Sequence, residues 1–293
     1  MKICTRRAGP ILATLLLILG WQPPLQAAGT LGMLTDLSGR VELETAAGDH
    51  RPATLLDYLG AGDQVKIPAK GMAVISYLEP AAEWKMRGPG SWQMGPEAPQ
   101  ALEGAAPERR SLDPMLTQPV ALDLEKQRIE LRTAGVVMRQ LDSRIDALAP
   151  TGPKVAGNPV FRWKKLPGVE LYRVRLEQSR GSILLDLPVN GDRLELPQAV
   201  SLPPDRRYRW QVESEGSGPV ARSPWMQFAT LPAAVQQRLT ALRPAPDAPF
   251  SRRVLYARAL EAEGVADEAR SLWAELAGQR PDLAGVLQSR STQ

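Results

Sequence analysis

The stretch Glu170-Leu171-Tyr172-Arg173-Val174-Arg175-Leu176-Glu177 alternates at period two, with Tyr172, Val174 and Leu176 on one side and Leu171, Arg173 and Arg175 on the other. That is the pattern of a half-buried strand, which directs the first set to a core and the arginines to water. Strand-like runs recur around it at roughly ten-residue spacing, separated by turns. They are PVFRWKKLPG before it and SILLDLPV, RLELPQAV, YRWQVES and PWMQFAT after it. Trp163 on an early run and Tyr208, Trp210 and Val212 on a late one supply bulky inner-face residues for two packed sheets. Trp225, beside Pro224, is read as core or edge cover. A β-sandwich is therefore expected over 150–231, held by its apolar core alone.

Upstream, LAPTGPKVAGNP at 148–159 concentrates proline and glycine and marks a domain boundary. Before it, 29–148 shows short alternating runs bounded by Gly, Pro and Asp, the signature of another all-β unit. Gly39-Arg40-Val41-Glu42-Leu43 alternates at period two, and Val65 and Ile67 share a face after the turn at 59–63. GMAVISYL at 71–78 is apolar enough to sit mid-sheet, buried on both sides. Trp84 and Met86 alternate with Glu83, Lys85 and Arg87, which directs the tryptophan and the methionine inward. The proline-, alanine- and charge-rich stretch 96–119 is expected to be an irregular excursion.

The order Gly39-x-Val41, LGAGDQV at 59–65, GMAVISYL at 71–78 and Pro89-Gly90-Ser91 resembles the FecR domain of bacterial envelope proteins over about residues 31–92. RIELRTAGVVMR at 128–139 resembles its closing strands. The family is best known for relaying a siderophore-uptake signal through the inner membrane to a sigma factor. This sequence offers no spanning helix and no cytoplasmic anti-sigma segment, so the resemblance implies an envelope interaction or sensing module. The region 150–231, in turn, resembles a fibronectin type III or related immunoglobulin-like domain.

After Thr230 the apolar period lengthens from two to about three and a half. Leu231, Val235, Leu239 and Leu242 form a stripe on a helix with Pro232 in its first turn, ended by the prolines at 244–249. Val254, Leu255, Ala259 and Leu260 precede Gly264, and Val265, Ala269, Leu272, Trp273 and Leu276 line a second helix stopped by Pro281. Ala257, Leu260, Gly264, Glu268, Ala269 and Pro281 are similar to a tetratricopeptide repeat. One repeat cannot bury its own faces, so 232–293 is expected to pack on the sandwich or on another chain, with Trp273 as anchor. The expected fold is thus mainly β and multi-domain: a FecR-like all-β domain at 29–148, an Ig/FnIII-like β-sandwich at 150–231 and a short α-helical C-terminal segment at 232–293.

The 293 residues are 43% apolar and 23% charged, with 27 prolines against three phenylalanines, which excludes collagen, coiled coil and a multi-span membrane protein. Residues 1–28 read as a cleaved export signal: Lys2, Arg6 and Arg7 precede the apolar run 11–19, and cleavage is expected near Ala27 or Ala28. That run is about half of the ~20 residues a spanning helix needs. Cys4 lies ahead of it, where a lipoprotein cysteine would follow it, and Ala-Gly-Pro follows Arg6-Arg7 where a twin-arginine signal has bulky apolar residues. Taking Lys2, Arg6 and Arg7 from the 36 basic residues leaves 33 against 32 acidic ones. No phosphate-binding excess remains, and nucleic acid is excluded as a partner.

With Cys4 removed and His50 the single histidine, the mature chain offers no disulfide, no cysteine or paired-histidine metal site and no His-supported nucleophile. His50, in AAGDHRPA, is expected in a solvated turn. GAGDQV at 60–65 has Val65 where the third glycine of a dinucleotide fingerprint belongs, and reads as a turn. Asn190, Asp192 and Glu195 have a calcium-loop composition, but Asn190-Gly191 between apolar runs is a hairpin signal. Ser-x-x-Lys, Gly-x-Ser-x-Gly and phosphate-cradling Gly-Lys-Ser/Thr motifs do not occur. No catalytic, cofactor-binding or metal-ligating residue is assigned, and binding residues are not named, although Trp84, Trp92 and Trp225 are where a glycan site would be sought. The expectation is a non-enzymatic periplasmic binding or scaffold protein that contacts an envelope protein or peptidoglycan. The alternatives are a ligand-sensing component working with a membrane protein and a carboxylate-dependent glycan hydrolase.

Overall fold

The structure, a computed structural model, describes residues 29–129, 145–178, 181–216 and 220–292. The export signal expected at 1–28 lies outside these residues, as does most of the closing-strand reading for 128–139. The described first unit runs through β1 (Thr30–Ser38), β2 (Glu42–Glu44), β3 (His50–Pro52), β4 (Tyr58–Gly60), β5 (Gln64–Ile67), β6 (Met72–Tyr77), β7 (Ala82–Arg87), β8 (Gly90–Met94), β9 (Pro99–Glu103), β10 (Glu108–Ser111) and helix α1 (Pro114–Ile129). The strands form two five-stranded antiparallel sheets in the orders β10-β7-β6-β1-β4 and β3-β2-β5-β8-β9. Leu43, Val65 and Trp92, neighbours in register on the second sheet, share one core with Ile75, Tyr77 and Met86 of the first.

The second unit comprises β11 (Ala147–Ala149), β12 (Lys154–Val155), β13 (Val160–Trp163), β14 (Leu171–Gln178), β15 (Ile183–Asn190), β16 (Arg193–Glu195), β17 (Arg207–Glu215) and β18 (Met226–Thr230). It is a two-sheet sandwich, β11-β13-β16 over β12-β18-β17-β14-β15, antiparallel except where β12 joins β18. The inward residues read from the sequence, Trp163, Tyr172, Val174, Leu176, Tyr208, Trp210 and Val212, are all buried in a core separate from that of the first unit. Phe161 meets Trp210 edge-on at 5.1 Å, a favoured aromatic geometry. The outer face of the larger sheet is tiled with ion pairs, Arg173 with Asp186 and Glu215, Arg175 with Asp186, and Arg209 with Glu177.

Four helices follow: α2 (Ala233–Leu242), α3 (Phe250–Ala262), α4 (Ala266–Gln279) and, after a 3-10 turn at Pro281–Leu283, α5 (Ala284–Ser291). Their packing corrects the expectation that they cover the sandwich or another chain. Leu239, Leu255, Trp273 and Leu287 belong to the same core as Met33, Ile75 and Trp92 of the first unit. The reason lies in β6, buried on both faces as its sequence implies: Ala73, Val74, Ile75, Ser76 and Tyr77 are all inaccessible. One face meets the opposing sheet and the other requires a cover, whereas the sandwich seals its own core and carries ion pairs outside. Helix α3 supplies the cover and is itself buried nearly all round. Glu83, expected to face water, lies beneath it at 4% exposure and accepts a 2.6 Å hydrogen bond from Ser251.

Three further expectations change. The stretch 96–119 is not irregular: it contains β9, β10 and the first turns of α1, whose N-terminus is capped by Asp113 accepting from Met115 N at 2.9 Å. Both strands are sheet edges with mostly exposed side chains, so backbone pairing forms them without an apolar alternation to announce them. Asn190-Gly191 is not a hairpin tip, because β15 and β16 belong to different sheets; Gly191, at φ +98°, turns the chain from one to the other. His50 begins the edge strand β3 instead of lying in the turn, with its side chain exposed and Nε2 3.6 Å from Glu44.

Candidate functional site

Where the sandwich meets the helical layer, a cleft of about 860 Å³ opens. One wall is the outer side of β13 and β16 with the loop 156–159; the other is formed by α2 and α4 with one face of α3. Gly264 makes the helical wall possible: its φ of +80° ends α3 in the left-handed conformation, and its N–H returns to Glu261 O at 2.8 Å. The same glycine leaves room for the stem of Lys154, whose Cδ would lie 3.4 Å from a Cβ placed there.

The walls are tied together at one end. Asp267, in the first turn of α4, accepts hydrogen bonds from Thr151 N (2.9 Å), Gly152 N (3.0 Å) and Thr151 Oγ1 (3.1 Å) while holding Arg270 at 2.7 Å. The floor is apolar, with Leu239, Leu260 and Val265 buried, and the Tyr256 hydroxyl donates to Leu239 O at 3.1 Å. Burial pushes the Tyr256 phenol above its usual range, so it stays protonated. Along the helical wall Arg243 pairs with Glu268 at 3.1 Å and the nearly buried Arg253 with Glu275 at 2.7 Å.

The three tryptophans singled out for glycan binding are not brought together, and none lines this cleft. Trp92 is fully buried, its indole N–H donating to Ala105 O at 3.1 Å. Trp84 is half-buried, edge-on to Tyr77 at 6.5 Å and 5.8 Å from the Arg109 guanidinium. Trp225 is half-buried beneath Arg209, 4.6 Å from its guanidinium, which makes it edge cover for the sandwich. Among the described residues no group of three or more His, Cys, Asp or Glu is placed to hold a metal ion, and no helix is long and apolar enough to cross a membrane. Arg162 lies between the buried Phe161 and Trp163, and nothing in the sequence signalled that Arg193 would be its neighbour in the sheet.

No family model matches the chain, and no curated protein matches it. Similar solved structures include a cell surface anchoring domain, 23% identical over 22% of this chain and 84% of that one at a TM-score of 0.21. They also include the two fibronectin type-III domain segment from chicken tenascin, 14% identical over 64% of this chain and 80% of that one at a TM-score of 0.20. Likenesses this slight carry no argument about function; the sandwich rests on its own strand pairing.

Proposed function

We propose that the protein is an exported, non-enzymatic binding or scaffold protein of the bacterial envelope, built from a FecR-like domain, an FnIII-like sandwich and a tetratricopeptide-like hairpin, that contacts an envelope protein or peptidoglycan. The observation that supports a binding role is the cleft itself: two separately cored units meet across an open space with an apolar floor and charged walls, a common setting for recognition. The assignment to the envelope rests on the FecR resemblance and the amino-terminal export pattern. A photoreactive residue placed at Asn158, on the exposed cleft loop, and another at the distant, exposed Arg40 test the reading in living cells. The expected result is an adduct from Asn158 alone, identified by mass spectrometry as an envelope protein or a cell-wall fragment. Equal labelling from both positions, or adducts with cytoplasmic proteins only, would contradict it.

A further inference from the structure

The cleft carries a charge pattern that its own side chains leave unbalanced. Arg162 on β13 and Arg193 on β16 are direct cross-strand partners, both exposed and both lining the cleft. Like charges directly opposite one another weaken a sheet, so this juxtaposition stands at a cost to the fold. Arg193 finds Glu195 on its own strand, whereas the side chains of Arg162 and Lys154 have no ion pair or hydrogen bond to a described residue. Facing them, the acids are already engaged: Asp267 by Thr151, Gly152 and Arg270, Glu268 by Arg243, and Glu275 by Arg253. Among the described residues the lining holds five cations, Lys154, Arg162, Arg193, Arg243 and Arg253, against those three acids. An excess of this kind inside a walled space concentrates the field and draws an anion.

Resting on the reading of the cleft as the binding site, we infer that its occupant is an acidic polypeptide segment, held extended with carboxylates across Arg162 and Arg193. Guanidinium groups grip carboxylates through paired hydrogen bonds, and an extended chain turns alternate side chains to opposite walls, here the arginines on one side and the half-buried Pro244 and Leu272 of the helical wall on the other. A glycan strand fits less well, because the one aromatic among the described lining residues, Tyr256, is 3% exposed and presents no face for a sugar to stack on. The volume, about 860 Å³, falls toward the upper end of the ~300–1,000 Å³ usual for ligand clefts, enough for a short stretch of chain.

Panning the full chain against a library of short random peptides, followed by calorimetric titration of the enriched peptide, tests the inference. Enriched peptides are expected to be acidic, to bind more weakly as salt rises, and to lose affinity by ~10–100-fold on Arg162→Glu or Arg193→Gln. Thermal melting separates this loss from misfolding: Arg162→Glu converts a repulsive cross-strand pair into an attractive one, so its melting temperature should equal or exceed that of the parent. Enrichment of neutral or basic peptides, or unchanged affinity in both variants, overturns the acidic-segment inference and leaves the cleft a binding site for something else. Failure of the Asn158 cross-link overturns instead the reading beneath it.

Discussion

Replacing Arg280 by alanine should loosen the first unit and its helices together. Arg280 donates from Nη1 to Asp36 Oδ1 and from Nη2 to Leu37 O, each at 2.6 Å, and its guanidinium lies 5.0 Å from the Phe250 ring centroid. The Asp36 side chain is only 15% exposed; burial raises its carboxyl above the ordinary 3.8, while the hydrogen bond and charge of Arg280 oppose that rise. Removing one partner of a fully buried pair costs ~3–5 kcal/mol. The Arg280 side chain is 22% exposed. Solvent can therefore reach the stranded carboxylate, which reduces the loss to about 2 kcal/mol, with ~0.5 kcal/mol more for the lost stacking on Phe250.

The loss should also depend on pH. A carboxyl whose folded pKa is raised contributes stability that is full below its unfolded value and lost as pH climbs through the folded one. Without Arg280 the folded value rises further, so the deficit relative to the parent should be small near pH ~4 and reach its full ~2–3 kcal/mol by neutrality. Urea unfolding across this range gives the magnitude, and amide hydrogen exchange gives the location. Because β1, β6 and α3 share one core, their protection should fall together while that of β14 and β17 stays put. A deficit that does not grow with pH, or a loss of protection confined to α4, would refute the reasoning.

Ending the chain at Thr230 uncovers the helix-facing side of β6 and β7, including the buried Glu83; the remainder should bind apolar dyes and aggregate, and a monomeric, cooperatively melting product would contradict the shared core. Asp267→Ala removes three hydrogen bonds to Thr151 and Gly152 and should cost about 1–2 kcal/mol, read as faster amide exchange at those two residues with β6 and β17 unaffected; unchanged exchange there would show that the clamp does not hold the walls together.

The legibility of the sequence followed the burial of each face. Strand β14 could be read because Tyr172, Val174 and Leu176 on its inner face are all apolar and its outer face is mostly charged, which leaves the alternation unbroken from Leu171 to Leu176. The double burial of β6 was equally plain, but the identity of its second cover was not: an apolar stripe on 232–293 says which side of a helix is hidden, not which surface hides it. Arg253 and Arg258 would pass for solvated residues, yet both are about 5% exposed, the first held by Glu275 and Gln279 and the second by Tyr58 and Glu261. Strands β9 and β10 arise from backbone pairing at sheet edges, which leaves no hydrophobic trace. The candidate site was hardest of all, because Arg162 and Arg193 are 31 positions apart and only the strand order makes them neighbours.

The division of cores gives the cleft its mechanical character. The helical wall belongs to the core that includes β1 and β6, while the facing wall belongs to the sandwich, and the two cores are distinct. Joining them at the cleft are the Asp267 hydrogen bonds and the contact of α4 with β12. A segment gripped by Arg162 and Arg193 on one side and by the α2–α4 wall on the other adds to that junction, and by thermodynamic reciprocity any influence that fixes the two units in this arrangement strengthens the grip by the same factor. Two separately cored units on one chain would thus act as a single clamp, with the first unit and its helices as the fixed jaw and the sandwich as the one whose placement sets the affinity.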